Sequence, residues 1–182
     1  MGIFSLEHGK WAYRADFALY GAAVVLLASV LVLDAPHSQR FAIVGTALVG
    51  LLGWSAIEYV LHRFVLHGVQ PFQGWHAAHH ERPAALISAP TVLSASLILL
   101  LVFVPAWLLT DGWSASALTL GVLTRYLAYA VTHHATHHWR GKSAWLKLRK
   151  HLHALHHQRI KSPCCYGVTN AFWDNVFRSK RK

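Results

Sequence analysis

The sequence predicts an all-α integral membrane fold, on three observations. Hydrophobic residues make up 54% of the 182 and charged residues only 13%, where a soluble domain carries about 25% charged residues. The apolar residues fall into four runs near the length a bilayer demands, roughly 20 residues for one helix. Residues 83–110 contain no charged side chain at all, which does not suit a helix with one face in water.

The elements follow in order. The first span is FALYGAAVVLLASVLVL, residues 17–33, bracketed by Asp16 and Asp34. It is long for a signal peptide and no A-x-A-like cleavage site precedes the next run, so it is expected to be retained. DAPHSQR, residues 34–40, is a short connection and predicts an antiparallel neighbour. The second span, residues 42–61, carries one charge, Glu58. The third, residues 87–110, holds Pro90, read as a helix start, and Pro105, read as a kink. After TDGW, residues 110–113, the fourth span covers residues 113–132 with Arg125 inside it. Residues 62–86 and 133–182 are polar and are expected to form a helical cap. No repeat or linker divides the chain, so residues 1–182 read as one domain. Trp54, Trp75, Trp139, Trp145 and Trp173 fall near the expected interfaces and read as an aromatic belt.

The formal net charge of +10 has a topological reading. With both termini cytoplasmic, Lys10, Arg14, Arg63, Arg82 and the eleven basic residues from Arg140 to Lys182 lie on one side. Arg40 alone lies opposite and Arg125 sits within a span. That is the positive-inside bias of multi-pass proteins. It accounts for the charge without nucleic acid, for which the chain has no binding motif. The expected location is the inner membrane of a bacterium or the endoplasmic reticulum of a eukaryote. Cys164 and Cys165 are adjacent, a spacing that strains a mutual disulfide, and read as free thiols in a reducing compartment.

Histidine is the outlier. Of 15 histidines, 13 lie between His62 and His157, against seven carboxylates in the whole chain. Two spans separate HRFVLH (62–67) and HAAHH (76–80) from HHATHH (133–138) and HLHALHH (151–157). An even number of crossings returns the chain to the same side, so all four clusters meet at the cytoplasmic face. Helical residues three or four apart share a face. His76, His79 and His80 have that spacing, as do His153, His156 and His157, the pair His133 and His137, and the pair His134 and His138. His62 and His67 are five apart, which splays them by about 140° on an ideal helix and leaves open whether they serve one ion or two. Seven carboxylates cannot partner 13 buried imidazoles. A divalent metal can, because neutral imidazole is a ligand for iron, zinc, copper and nickel. About ten ligands exceed what one ion takes, so a dinuclear, nearly all-histidine site is expected. A transporter would need a polar path through the spans, and a membrane cytochrome would place its histidines within them. The pattern favours neither, whereas a non-catalytic metal-binding membrane protein remains an alternative.

The spacings His62-x4-His67, His76-x2-His79-His80, His133-x3-His137-His138 and His153-x2-His156-His157, with EYVLHR (58–63) and the tail YGVTNAFWDNVF (166–177), resemble the fatty acid hydroxylase and sterol desaturase superfamily of membrane di-iron enzymes. The resemblance covers residues 54–178, and the tail looks most like that of fatty acid 2-hydroxylases. Carotenoid and sterol hydroxylases or desaturases of the same superfamily are the alternatives. The resemblance implies two iron ions, replaceable by zinc in purified protein, with O2 as co-substrate and hydroxylation of a C–H bond in a fatty acyl chain or acyl lipid taken from the bilayer. It implies as ligands His62, His67, His76, His79, His80, His133, His137, His153, His156 and His157. A one-residue shift would exchange His133/His137 for His134/His138. Asp174, then Glu58, are the carboxylates expected to orient the imidazoles, and Glu58, inside a span, is expected to pair with Arg63 or Arg125. Two departures stand out. Tyr129-Ala130 replaces the Tyr-Asp that family members often carry before the third box, and no haem-binding module is fused, which implies a separate electron-donor protein.

Overall fold

The computed structural model describes residues 6–158 and 163–180. Arg159, Lys161, Arg181 and Lys182, among the basic residues read as topology signals, lie outside them. Within the described residues the chain is helical, with one isolated antiparallel bridge, Glu7 to Ile87, and no strand. The helices are α1 (Lys10–Leu33), α2 (Arg40–Val60), α3 (Phe72–Glu81), α4 (Thr91–Ile98), α5 (Val104–Leu109), α6 (Gly112–His138), α7 (Ala144–Gln158) and α8 (Phe172–Val176). α2 runs on into a π-helical turn, Leu61–Leu66, and a second such turn, Leu99–Phe103, joins α4 to α5.

Among the described residues, three helical stretches are long and apolar enough to cross a membrane: Lys10–Leu33, His37–Leu66 and Thr91–Leu109. They support a multi-pass membrane protein. The first begins seven residues before the expected span. The third starts at Thr91, with Pro90 as its N-cap. The expected fourth span, 113–132, lies inside α6, which at 27 residues is long enough but is not among the three. Arg125 and the serines and threonines of WSASALTLGVLTRYLAYAVT lower its hydropathy. The structure thus gives three candidate spans where the sequence reading expected four.

Contacts divide the chain into two compact units. The first is Met1–Trp54 with Leu86–Leu127. Its core joins Tyr20, Trp54, Ile98, Val122 and Leu123, and a second cluster joins Leu31, Ala35, Ile43 and Ala117. Trp54 is therefore a core residue, edge-on to Tyr126 at 5.4 Å, and not part of a belt. α2 and α6 touch backbone to backbone: a Cβ on Gly50 would strike the Leu118 carbonyl, and one on Gly121 would strike the Ala47 carbonyl. Small residues permit such approach where burial of apolar surface cannot drive helix association. Polar bonds add to it, from Tyr20 to Ser94 at 2.8 Å and from the Thr91 hydroxyl to Asp16 at 2.7 Å. Asp111 caps α6, accepting from the backbone N–H of Trp113 and Ser114.

The second unit is Ser55–Ala85 with Ala128–Lys182. It contains the first π turn, α3, the end of α6, α7, α8 and the loop before α8. Every histidine of the four clusters lies in it.

Candidate metal centre

The π turn decides the first pair. In a π helix the hydrogen bond runs from i to i+5, so residues five apart come back onto one face. His62 and His67 accordingly sit together, ring centroids 5.4 Å apart. The 140° splay expected from an ideal helix is absent because the helix is widened at that turn.

Two sets of four histidines form, and in each the candidate ligand nitrogens all lie within 4.8 Å of one another. The first set is His62 and His67 from the π turn, His76 from α3 and His156 from α7. The second is His79 from α3, His133 and His137 from α6, and His153 from α7. His80 approaches the first set, its Nε2 3.0 Å from that of His76. His157 approaches the second, 3.1 Å from His153. The rings of His80 and His157 stack on each other at 4.2 Å. All ten histidines named from the sequence are thus brought together. His134 and His138 belong to neither set; they stack on one another at 4.5 Å, with His138 edge-on to His137 at 6.3 Å.

The spacing of the nitrogens fits metal ions. Two ligands at right angles on an ion about 2.1 Å away lie ~3.0 Å apart. Observed Nε2 separations are 3.1 Å for His62 and His76, 3.1 Å for His67 and His156, 3.1 Å for His79 and His133, and 2.7 Å for His137 and His153. Burial keeps these imidazoles neutral, the form that binds metal. It holds His67 and His137 down to about 4 and His157 to about 3, with charge on neighbouring histidines acting in the same direction. His76 and His153 are lowered further, again first by burial and then by nearby histidines.

The outer partners differ from those expected. The Nδ1 of His62 bonds the Tyr166 carbonyl at 2.6 Å, and the Nδ1 of His156 bonds the Cys164 carbonyl at 2.8 Å. Asp174 and Glu58 act one step behind them. Asp174 accepts from the backbone N–H of Tyr166 (2.9 Å) and Gly167 (2.8 Å) and from the Ser179 hydroxyl (2.7 Å). Glu58 accepts from the backbone N–H of Val168 and Thr169, both at 2.9 Å, and from the Thr169 hydroxyl at 2.6 Å. Arg63 is engaged with Tyr59, donating to its hydroxyl and lying over its ring as well as those of Phe64 and Tyr166. The tail GVTNAFWD thus has a physical account. Gly167 has no room for a Cβ beside the Asn170 carbonyl, Trp173 donates to Ser55 at 3.2 Å, and Asp174 is buried. Sequence reading missed the Cys164 and Tyr166 carbonyls because a backbone atom leaves no mark in residue type. The two cysteines are buried free thiols, as expected.

Residues 47–179 match the family model for fatty acid hydroxylases, and this span includes all ten histidines, Glu58 and Asp174. The chain belongs to the fatty acid hydroxylase family. Similar curated members are the dihydroceramide fatty acyl 2-hydroxylase FAH2 of Arabidopsis thaliana, 35% identical over 81% of this chain and 66% of that enzyme, and the ceramide very long chain fatty acid hydroxylase scs7 of Schizosaccharomyces pombe, 31% identical over 71% of this chain and 40% of that protein. The human fatty acid 2-hydroxylase is 26% identical over 74% of this chain and 39% of its own length. The chain therefore spans from about two fifths to just under two thirds of these relatives. Among solved structures, full-length scs7p, with only its hydroxylase domain visible, superimposes with a TM-score of 0.81 at 22% identity, over 97% of this chain and 68% of that one. This shared fold agrees with the family assignment.

Proposed function

We propose that this member of the fatty acid hydroxylase family is an O2-dependent lipid hydroxylase with a dinuclear iron centre, acting on the acyl chain of a ceramide or fatty acid. The observation that carries the proposal is the convergence of ten histidines, eight of them in two sets of four and two beside those sets, inside the segment that matches the family. The activities named for the relatives, 2-hydroxylation of dihydroceramide acyl groups among them, point to the carbon next to the acyl carbonyl. The reaction balances as one C–H bond plus O2, two electrons and two protons giving one C–OH and one water.

Iron held by the ten histidines would supply the redox chemistry that no side chain offers. The chain's own part is to keep imidazole neutral at physiological pH, to aim His62 and His156 through backbone carbonyls, and to hold those carbonyls by two buried carboxylates. With imidazole as the only ligand type, zinc is readily accommodated as well. We read residues 1–182 as one hydroxylase domain, with α6 as a fourth crossing packed against α2 through Gly50 and Gly121. That topology puts both termini and the histidines on the cytoplasmic side, where an acyl chain enters from the bilayer and a separate protein delivers electrons.

The test is metal content of the detergent-purified protein together with lipid profiles of cells that express it. Two equivalents of iron or zinc and accumulation of 2-hydroxyacyl lipids are expected, both lost in the double variant His79→Ala, His156→Ala. Folded protein with well under one equivalent of metal overturns the proposal.

A further inference from the structure

The two sets of histidines are alike in number but not in support. In the first, two buried rings, His62 and His156, have their Nδ1 positions matched to carbonyl oxygens at 2.6 and 2.8 Å. In the second, the Nδ1 atoms of His79 and His153 are buried with no hydrogen-bond partner among the described residues. A carbonyl on Nδ1 fixes the tautomer with its free lone pair on Nε2, fixes the plane of the ring and raises its basicity. A ring without that partner has to be oriented by packing alone, and metal bound at Nε2 commits it to an unsatisfied buried N–H.

We propose that the two positions hold metal unequally: His62, His67, His76 and His156 form the tight position, and His79, His133, His137 and His153 the labile one. The difference is made by the loop of residues 164–169, fastened by Asp174 and Glu58, which makes these two carboxylates positioning residues. This inference rests on the metal-centre reading above. Losing an outer partner of a metal-bound histidine costs about 10–100-fold in affinity, so the gap between positions is at least about tenfold. One consequence is regulatory. When metal is scarce the protein holds a single ion in the first set and is inactive, and the second set tunes activity to metal supply.

A chelator challenge tests this. Protein loaded with two zinc ions in detergent is mixed with excess EDTA, and metal retained on the protein is followed by elemental analysis over time. One equivalent is expected to leave at least about tenfold faster than the other. The His153→Ala variant is expected to lose the fast equivalent and keep the slow one. Asp174→Asn is expected to speed release of the slow equivalent while leaving the fast one unchanged, with circular dichroism confirming that the helices persist. Glu58→Gln gives the same readout from the other end of the loop. Release of both ions in a single phase overturns the inference while leaving the dinuclear reading intact, as does loss of the slow equivalent in His153→Ala. A failure to take up two ions at saturation strikes the dinuclear reading itself.

Discussion

The described residues contain two π-helical turns, Leu61–Leu66 and Leu99–Phe103, and they exist for different reasons. The first carries LHRFVL and brings His62 and His67, five residues apart, into one set of ligands. The second carries LLLVF, has no titratable side chain, and precedes Pro105. A proline within a regular helix lacks the N–H for its own bond and presses on the carbonyl four residues earlier, here that of Leu101. A widened turn just before it relieves both problems. The same backbone device thus serves a site in one place and a packing constraint in the other. Geometry by itself does not mark function; the side chains on the turn do.

Removing a ligand from the first turn should have the largest effect. His62→Ala is expected to lower metal content from two equivalents to about one and to abolish hydroxylation, read by elemental analysis and by mass spectrometry of 2-hydroxyacyl lipids. Retention of two equivalents would mean that the first turn is no more functional than the second.

Acid should act on the first turn and spare the second. An unfolded imidazole titrates near 6.5, whereas His67 at the end of the first turn is lowered to about 4 by burial and by the charge of His80. His137, at about 4, and His157, at about 3, behave alike. Between pH 6.5 and 4 the unfolded state binds more protons than the folded one, so stability falls as pH falls. Metal-stripped protein is expected to keep its full stability above about pH 6.5 and to lose it progressively down to about pH 4 through His67 and His137 and to about pH 3 through His157, followed as the thermal midpoint in detergent. A metal-stripped midpoint that is flat across that window would show that the rings are not buried together.

Glu58 lies one turn before His62 on the same helix, so it reports on how the first turn is held. Glu58→Gln keeps the shape but sets an NH2 group against N–H donors. With three hydrogen bonds accepted by one buried carboxylate, a loss of about 2–3 kcal/mol is expected, measured by denaturation of the metal-loaded protein in mixed detergent.

Much of this is legible in the sequence. Apolar runs point to α1, α2 and the third span, and the histidine spacings point to the residues that meet in the second unit. The residues that gather are the ones whose type signals metal. The geometry that gathers them was harder to read. A five-residue spacing looks wrong for a shared face unless the helix widens, and nothing in LHRFVL announces that it does. The sequence places Asp174 and Glu58 against the imidazoles, whereas in the structure both are buried and bond backbone N–H groups of the loop behind them. Peptide carbonyls of Cys164 and Tyr166 stand between, and they have no sequence signature. The expected fourth span rests on the apolar run of residues 113–132; Arg125 and the hydroxyl side chains of that run make α6 less apolar than α1 and α2.

The smallest effect is expected at the second turn. Pro105→Ala restores an N–H and removes the ring from Leu101, so the helix can close into regular α geometry. Alanine favours that closure by its helix propensity, but the closure would rotate Leu99, Leu100 and Leu101, which are exposed apolar side chains, relative to α5. In a bilayer such a rotation exchanges one apolar surface for another at little cost. The net change is expected to stay within about 1 kcal/mol of either sign, with metal content at two equivalents and hydroxylation intact. Measured beside His62→Ala in the same detergent, that variant separates the two turns most directly. Loss of metal in Pro105→Ala would mean that the second turn, too, was shaped for the site.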